Sequence, residues 1–267
     1  MFQSPGSLAF TIGSVDIYWY GIIMSLSILL GIFVIFFVSK KYFNDISSDS
    51  IFDLSFELII SGIIFARLYY VIMDYKYFLK YPMEIPAVWN GGISIQGAII
   101  GGIIAGFIYV KRNNFSFLRY ADLFSFGLVS GQIIGRWGNF FNSEAFGLPT
   151  SLPWKLFIPY SNRPIQFKNE EFFHPAFLYE SLLSIFIFCI LYFILRKFKN
   201  RKDGLIFYIY IILYSIARIA VESIRTDSVL NIYGLHAAHI ASVIFILAAI
   251  TGLYILYKKN NENITGY

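Results

Sequence analysis

The sequence predicts an all-α polytopic membrane protein with seven transmembrane helices, the N-terminus outside, the C-terminus cytoplasmic and a small extracytoplasmic cap. Three observations carry this. The 267 residues are 57% hydrophobic and 20% aromatic but only 14% charged, with a mean hydropathy of +0.64, whereas a soluble domain carries about a quarter charged residues. Seven apolar runs approach the ~20 residues that a helix needs to cross hydrocarbon. Twelve of the 21 Lys and Arg residues fall at alternate junctions between those runs, and basic residues flanking spans stay on the cytoplasmic side.

Taken in order, the first run is Tyr18–Val38, opening on Trp19-Tyr20-Gly21, aromatic residues suited to a membrane interface, and ending on Lys40 and Lys41. Met1 to Tyr20 holds no Lys or Arg to form the basic head of a secretory signal. The second run, Ile51–Met73, carries Asp53 and Glu57 near its inner end and Arg67 near its outer end, where charged tips reach the interface by snorkelling. The third, Gly92–Val110, opens through Asn90 to Gly102, whose small residues permit close helix packing; Gln96 is a polar side chain one turn into the membrane. Lys111, Arg112 and Arg119 precede the fourth run, Ala121–Arg136, which is shorter and interrupted by glycines.

The fifth run, Phe177–Leu195, contains Cys189, a small buried or lipid-facing residue. As the one cysteine of the chain it excludes an internal disulfide, a cysteine metal cluster and a cysteine-pair redox mechanism. Glu180 lies one turn inside this run, deep enough to require a donor such as an arginine. Five basic residues from Arg196 to Lys202 lead to the sixth run, Leu205–Val221. The seventh is Ala237–Tyr257, with His236 and His239 at its outer start, Lys258 and Lys259 after it, and 260–267 as a solvated tail. Outside lie Asp74–Gly91 and Asn139–Pro175, the latter with five prolines, too many for a continuous helix. That segment is expected to form a cap of strands or turns between the fourth and fifth spans, within a single membrane domain over 1–267. The net charge of +5 follows from the basic cytoplasmic junctions; it argues for anionic lipid there and gives no reason to invoke nucleic acid.

Within this oily chain, Gly135 to Gly147 concentrates one arginine, one glutamate, two asparagines and three glycines. Such a cluster beside a membrane-length run is expensive in hydrocarbon and marks a site. Arg136 and Asn139 are spaced i,i+3. If the helix continues, they share a face; if it breaks at Gly138, they line an unwound segment. Either arrangement gives a planar bidentate donor with amide support, a receptor suited to phosphate.

The sixth run supplies a second polar wall. Tyr214, Arg218, Glu222 and Arg225 sit at offsets of 0, 4, 8 and 11, which on a helix fall within an arc of about 80°. Arg218 and Glu222 form an i,i+4 pair able to neutralise each other. The spacing assigns no partner to Arg225 or to the Tyr214 hydroxyl on the same face.

The stretch Gly135-Arg136-Trp137-Gly138-Asn139-Phe140-Phe141-Asn142-Ser143-Glu144 with Gly147 resembles the signature of the bacterial prolipoprotein diacylglyceryl transferase family. The resemblance extends to Trp19-Tyr20-Gly21, Gly91-Gly92 with Gln96-Gly97, His174-Pro175 through Tyr179-Glu180, and Tyr214 to Arg225. It implies an enzyme of the bacterial cytoplasmic (inner) membrane, its active site toward the extracytoplasmic side. The implied reaction moves the sn-1,2-diacylglyceryl group of phosphatidylglycerol to the lipobox cysteine thiol of a prolipoprotein signal peptide, giving a thioether and glycerol 1-phosphate. No cofactor and no metal is implied. The partners are phosphatidylglycerol, the lipobox and the lipid bilayer.

Carried over by position, the resemblance implies Arg136, Arg218, Asn139 and Glu144 as catalytic residues. The arginines hold the phosphate and stabilise the leaving group, while Asn139 and Glu144 orient the glycerol or the arginines. Glu222 sets the geometry of Arg218. Tyr20, Tyr214, Gln96 and Arg225 join Glu222 as substrate-binding residues, and Gly147 permits a close backbone turn. One departure stands out: many family members have a histidine where this chain has Gln96, and an amide is no general base near neutral pH. Either the base lies elsewhere, with His174 one candidate, or the arginines and water suffice, or that histidine never was the base.

Other classes fit the sequence less well than the transferase. A transporter or channel also carries intramembrane charge, but broken helices there come in pairs and one short run is seen here. A membrane protease needs a Ser–His pair or paired aspartates, and neither is arranged. A lipid phosphatase able to use Arg136 and Arg218 is the nearest chemical rival.

Overall fold

The computed structural model describes residues 2–226, 231–232 and 235–265, the side chains of 90, 231–236 and 259–265 excepted. In chain order the elements are β1 (Phe2–Gln3), β2 (Leu8–Ile12), β3 (Val15–Tyr18), α1 (Trp19–Tyr42), α2 (Ser48–Met73), α3 (Tyr75–Lys80), α4 (Ile95–Arg112), α5 (Phe117–Asn142), β4 (Leu156–Phe157), β5 (Phe172–Phe173), α6 (Ala176–Lys197), α7 (Leu205–Glu222), β6 (Asn231–Ile232), β7 (Leu235–His236) and α8 (Ala237–Thr265). The protein is a helical, polytopic membrane protein: among the described residues, six helices are long and apolar enough to cross a membrane, namely α1, α2, α4, α6, α7 and α8. Their outward faces carry large apolar side chains such as Phe33, Ile72, Phe193 and Leu247, each at least 60% exposed, as expected where lipid replaces water. Cys189 is exposed on one such face.

The fourth run differs from its sequence expectation. Ala121–Arg136 is short and glycine-interrupted by hydropathy, yet α5 runs unbroken for 26 residues, about 39 Å at 1.5 Å per residue. Its polar residues, Asp122, Gln132, Arg136 and Asn139 among them, keep it outside the six apolar helices. The glycines do not break it because they serve as contact points. A methyl group on Gly31 of α1 would lie 2.9 Å from the Gly127 carbonyl oxygen, and one on Gly127 would lie 2.5 Å from Ile35 Cδ1. Further along α5, a methyl on Gly131 would meet the Ser27 carbonyl oxygen at 3.3 Å and one on Gly138 the Tyr20 ring at 2.9 Å. Small residues at four-residue spacing let two backbones approach where no hydrophobic effect drives association.

The chain forms two compact units, Met1–Val38 with Ala121–Tyr267, and Ser39–Tyr120. In the second unit, α4 lies against α2 through Gly97 and Gly101: a methyl on Gly97 would sit 2.8 Å from Ala66 Cα and one on Gly101 2.7 Å from the Ser61 carbonyl oxygen. Arg67 does not snorkel. It is buried, and its guanidinium donates to the carbonyls of Glu84 (2.6 Å), Ile85 (2.8 Å), Gly91 (2.7 Å) and Gly92 (2.8 Å), pinning the segment between α3 and α4. Both glycines take positive φ, 81° and 69°, a backbone shape that side chains resist. Glu57 pairs with Arg112 at 2.7 Å.

In the first unit, α7 is anchored at its start by a residue of α5. Asp122, fully buried, accepts the N–H groups of Gly204 at 2.9 Å and Phe207 at 2.8 Å, filling donors that a helix N-terminus leaves unpaired. The segment between α5 and α6 forms a small folded layer: β1 pairs parallel with β4, and β4 antiparallel with β5. Its core is Phe146, Leu156, Ile158, Phe173 and Phe177, with Trp137 and Phe140 packed on it. The N-terminal strand β1 joins this layer and a β2–β3 hairpin closes through Gly13-Ser14, two features absent from the sequence expectations. The 260–267 tail, expected to be solvated, continues α8 to Thr265, and its side chains lie outside the described residues.

Candidate active site

Every predicted site residue lies in the first unit except Gln96. Glu180, one turn into α6, is the hub. Its Oε1 lies 2.8 Å from Arg218 Nη1 of α7, and its Oε2 lies 3.2 Å from Arg136 Nη1 of α5. Arg225 Nη1 approaches Oε1 to 3.9 Å. Arg218 also reaches Glu222 Oε2 with Nη2, at 2.7 Å, so its two amine groups bridge carboxylates of two helices. The glutamate side chains are 8% and 5% exposed, and those of Arg136 and Arg218 about a fifth. Carboxylates this deep require such partners. The resulting cluster of planar donors, partly open on the arginine side, suits an anion with several oxygens.

The local sequence explains the convergence. Arg218 and Glu222 are one turn apart on α7, as expected from their spacing. Tyr214 extends the row and accepts from Arg136 Nη2 at 3.4 Å. One turn deeper, the Tyr210 ring stacks on Tyr214 at 5.9 Å and its hydroxyl accepts from Gln132 Nε2 at 2.8 Å. Gln132 is itself one turn before Arg136, so α5 and α7 face each other through two polar rungs. Ser181 of α6 adds a bond to the Ile133 carbonyl, 2.8 Å. The expected four-residue arc on the sixth run is corrected at Arg225. Because α7 ends at Glu222, Arg225 is not on the helical face and reaches Glu180 from the turn beyond it.

The signature stretch takes the continuous-helix form through Asn142, and no unwinding occurs at Gly138. It ends in a tight cap in which Ser143 N–H donates to the Phe140 carbonyl (3.1 Å) and Glu144 N–H to the Asn139 carbonyl (3.0 Å), with Ser143 in the left-handed region at φ 52°. Asn142 Nδ2 donates to Glu144 Oε1 at 3.3 Å. Asn139 follows Arg136 on the helix, and Tyr20 lies against Gly138, within electrostatic reach of Glu144 and Arg136.

Gly147 sits at a crossing rather than at a turn. Its N–H donates to the His174 carbonyl at 2.9 Å, it bridges Arg225 antiparallel, and Leu148 N–H donates to the Ile224 carbonyl at 2.7 Å. A methyl there would meet His174 Cβ at 2.8 Å and the Ile224 carbonyl oxygen at 3.0 Å. The crossing ties the layer after α5 to the turn that carries Arg225. Beside it, His174 Nδ1 lies 3.0 Å from the Tyr179 hydroxyl, which accepts from Trp154 Nε1 at 2.9 Å. Burial lowers the His174 pKa from its ordinary value because the charged ring loses solvent.

Gln96 belongs to the second unit, on the first turn of α4, where its Oε1 accepts from the Ser94 hydroxyl at 2.5 Å. His239 Nε2 lies 3.3 Å from the Ile219 carbonyl oxygen, and the His236 side chain lies outside the described residues. Sequence reasoning gives Glu180 a need for an arginine but no place among the site residues, and it passes over Gln132 and Tyr210. Both are signalled by spacing, each one turn before a residue already singled out.

A family model described as prolipoprotein diacylglyceryl transferase matches residues 7–255. The chain is 44% identical to a protein of Acaryochloris marina over 257 residues, 96% of this chain and 93% of that one. It is 42% identical to a protein of Gloeobacter violaceus over 97% of this chain and 96% of the relative, and 42% identical to one of Thermotoga maritima over 92% and 83%. All three are named phosphatidylglycerol–prolipoprotein diacylglyceryl transferase. With nearly the full length matched on both sides, the chain belongs to the prolipoprotein diacylglyceryl transferase family.

Proposed function

We propose that this protein transfers the diacylglyceryl group of phosphatidylglycerol to the lipobox cysteine of prolipoproteins, the first step of lipoprotein maturation. The observation that carries the reading, beside family membership, is the convergence of Arg136 and Arg218 from two helices on one buried carboxylate. Sulfur attacks the glyceryl carbon, the C–S bond forms, and the C–O bond to phosphate breaks with its electrons moving onto the phosphate. The thiol proton leaves to the phosphate or to water. The charge that develops on the leaving phosphate is met by preorganised guanidinium donors in a water-poor site. Arg136 and Arg218 hold the phosphate; Asn139 and Glu144 orient the glycerol; Glu222 fixes Arg218; Tyr20, Tyr214, Arg225 and Gln96 complete binding; and Gly147 permits the backbone crossing.

The same reading places the protein in the bacterial cytoplasmic membrane with seven spans, α5 joining the six apolar helices as the fourth in chain order, the N-terminus outside and the C-terminus inside. Residues 139–175 then cap a single membrane domain on the outer side. The alternate placement of basic residues supports this orientation. The test is incubation of purified protein with phosphatidylglycerol and a lipobox peptide, followed by mass spectrometry for the diacylglyceryl adduct. Adduct formation that disappears in Arg136→Ala is expected; no adduct with the unaltered protein, or full activity in that variant, overturns the assignment.

A further inference from the structure

We propose that His174 is a hydrogen-bond donor for the lipobox peptide, presenting Nε2–H to a main-chain carbonyl of that peptide beside the arginine cluster. This rests on the transferase reading. Three side chains set the direction of the bonds. Trp154 Nε1 can only donate, and it reaches the Tyr179 hydroxyl oxygen at 2.9 Å. That oxygen lies 3.0 Å from His174 Nδ1, and among the described residues it bonds to no other group. The hydroxyl hydrogen therefore goes to Nδ1, which makes Nδ1 the acceptor and leaves the ring proton on Nε2. The one basic nitrogen of the ring is thus taken by a hydroxyl, and none is left for a thiol proton.

The rest of the residue is already engaged. Its backbone N–H donates to the Leu148 carbonyl at 3.0 Å and its carbonyl accepts from Gly147 N–H at 2.9 Å. Among the described residues, Nε2–H is the one polar group of His174 without a partner. Burial holds its pKa below the ordinary value, so the ring is uncharged near neutral pH. A single neutral donor is a poor match for phosphate, which draws on charged forks, and a good match for a neutral carbonyl. Its flanks are apolar and open: Leu148 is 42% exposed and Trp154 46%. The first is tied to His174 through the backbone and the second through Tyr179. An extended apolar peptide bound here gains affinity from its main chain and specificity from its side chains. The place is also right. A methyl on Gly147 would meet His174 Cβ at 2.8 Å, Gly147 bridges Arg225, and Arg225 approaches Glu180 to 3.9 Å. A peptide anchored on His174 therefore reaches the rim of the arginine cluster.

Two measurements test this. Nitrogen-15 spectra of protein labelled at its three histidines, with His174 identified by its loss in His174→Gln, are expected to show Nε2 protonated and Nδ1 bare at neutral pH. Tyr179→Phe removes the hydroxyl and is expected to give a mixture of the two tautomers. Binding is read with a lipobox peptide carrying serine in place of its cysteine, so that no reaction follows. Its Kd is expected to rise roughly three- to tenfold in His174→Leu, the loss of one hydrogen bond. In His174→Gln, whose amide N–H stands in for Nε2–H, it is expected to stay within about twofold. The Kd of a short-chain phosphatidylglycerol is expected to be unchanged in both. If His174→Leu fails to fold, Tyr179→Phe decides: halving the donor tautomer raises the peptide Kd about twofold. A protonated Nδ1 in the unaltered protein, an unchanged peptide Kd in the folded variant, or weakened binding of the lipid in place of the peptide overturns the inference. Any of these beside adduct formation by the unaltered protein sinks this inference alone, whereas no adduct at all sinks the transferase reading beneath it.

Discussion

Gly31 and Gly127 face each other so closely that a methyl group on Gly31 would lie 2.9 Å from the carbonyl oxygen of Gly127. Backbone oxygen cannot move aside as a side chain can, so Gly31→Ala forces α1 and α5 apart. The expected cost is about 1–3 kcal/mol of overpacking, read as a lowered melting temperature in detergent. Gly102→Ala, whose new methyl would find its nearest neighbour at 4.0 Å, is expected to melt within a degree or two of the unaltered protein. Equal melting of both variants would show that the α1–α5 seam tolerates a methyl group.

Arg218→Lys tests the fork. A single ammonium has no pair of amines to place on Glu180 and Glu222 at once. Leaving a buried carboxylate short of its partner costs about 3–5 kcal/mol. Transferase activity is expected to fall on the order of 100-fold, measured as adduct formed per minute under substrate saturation. Retention of most activity would mean that charge alone suffices at this position.

Ser143→Gly bears on the end of α5. Ser143 holds φ at 52°, where an L side chain costs about 1–2 kcal/mol relative to glycine. Greater freedom of glycine in the unfolded chain returns part of that, so the net expectation is a gain of about 0.5–1 kcal/mol with activity retained. A calorimetric or fluorescence melt decides it, and a lowered melting point would show that the Ser143 side chain contributes more than the backbone strain removes.

His174 supplies the pH dependence. Burial lowers its pKa in the folded protein, whereas in the unfolded chain it titrates near 6.5. Above that value both states are neutral and the group adds no slope. As pH falls below about 6.5 the unfolded chain binds the proton first, so stability declines until the folded pKa is passed. Melting temperature against pH should therefore lose part of its acid-side slope in His174→Gln, and an unchanged profile would exclude His174 as the source.

Gln96→Ala addresses the missing histidine. The Gln96 amide accepts from Ser94 and is exposed, so its proposed part is hydrogen bonding to substrate rather than proton abstraction. The variant is expected to raise KM while keeping a substantial part of kcat. Loss as complete as in Arg218→Ala would place essential chemistry at this residue.

Six of the seven predicted runs match helices within a few residues because hydropathy is a direct signal when lipid is the solvent. Arg218 and Glu222 are legible for a similar reason, since i,i+4 contact is fixed by the helix itself. Glu180 announces a need for a partner by its depth, but the identity of the partners depends on how three helices cross, which no local spacing encodes. The glycines of α5 mislead because the same residue marks both breaks and close contacts, and only the facing surface of α1 decides between them. Arg225 enters the site from outside its expected helix; its spacing is right for a row that ends three residues earlier. The β2–β3 hairpin has a usable signal in Gly13-Ser14 between apolar runs, whereas two-residue ladders such as β1–β4 carry none.

Asp122 has a consequence for how this protein tolerates change. Because it binds the N–H groups of Gly204 and Phe207, the axial position of α7 is set by α5 and not by the connection that precedes it. Residues added within the exposed stretch 198–200 would bulge outward and leave Arg218 where it is, whereas Arg201 lies within electrostatic reach of Asp122 and Lys202 Nζ donates to the Leu256 carbonyl. A single residue added between Phe207 and Arg218 would instead turn the guanidinium by about 100° away from Glu180. Length variation is thus tolerated in the exposed connection before Arg201 and forbidden beyond Phe207.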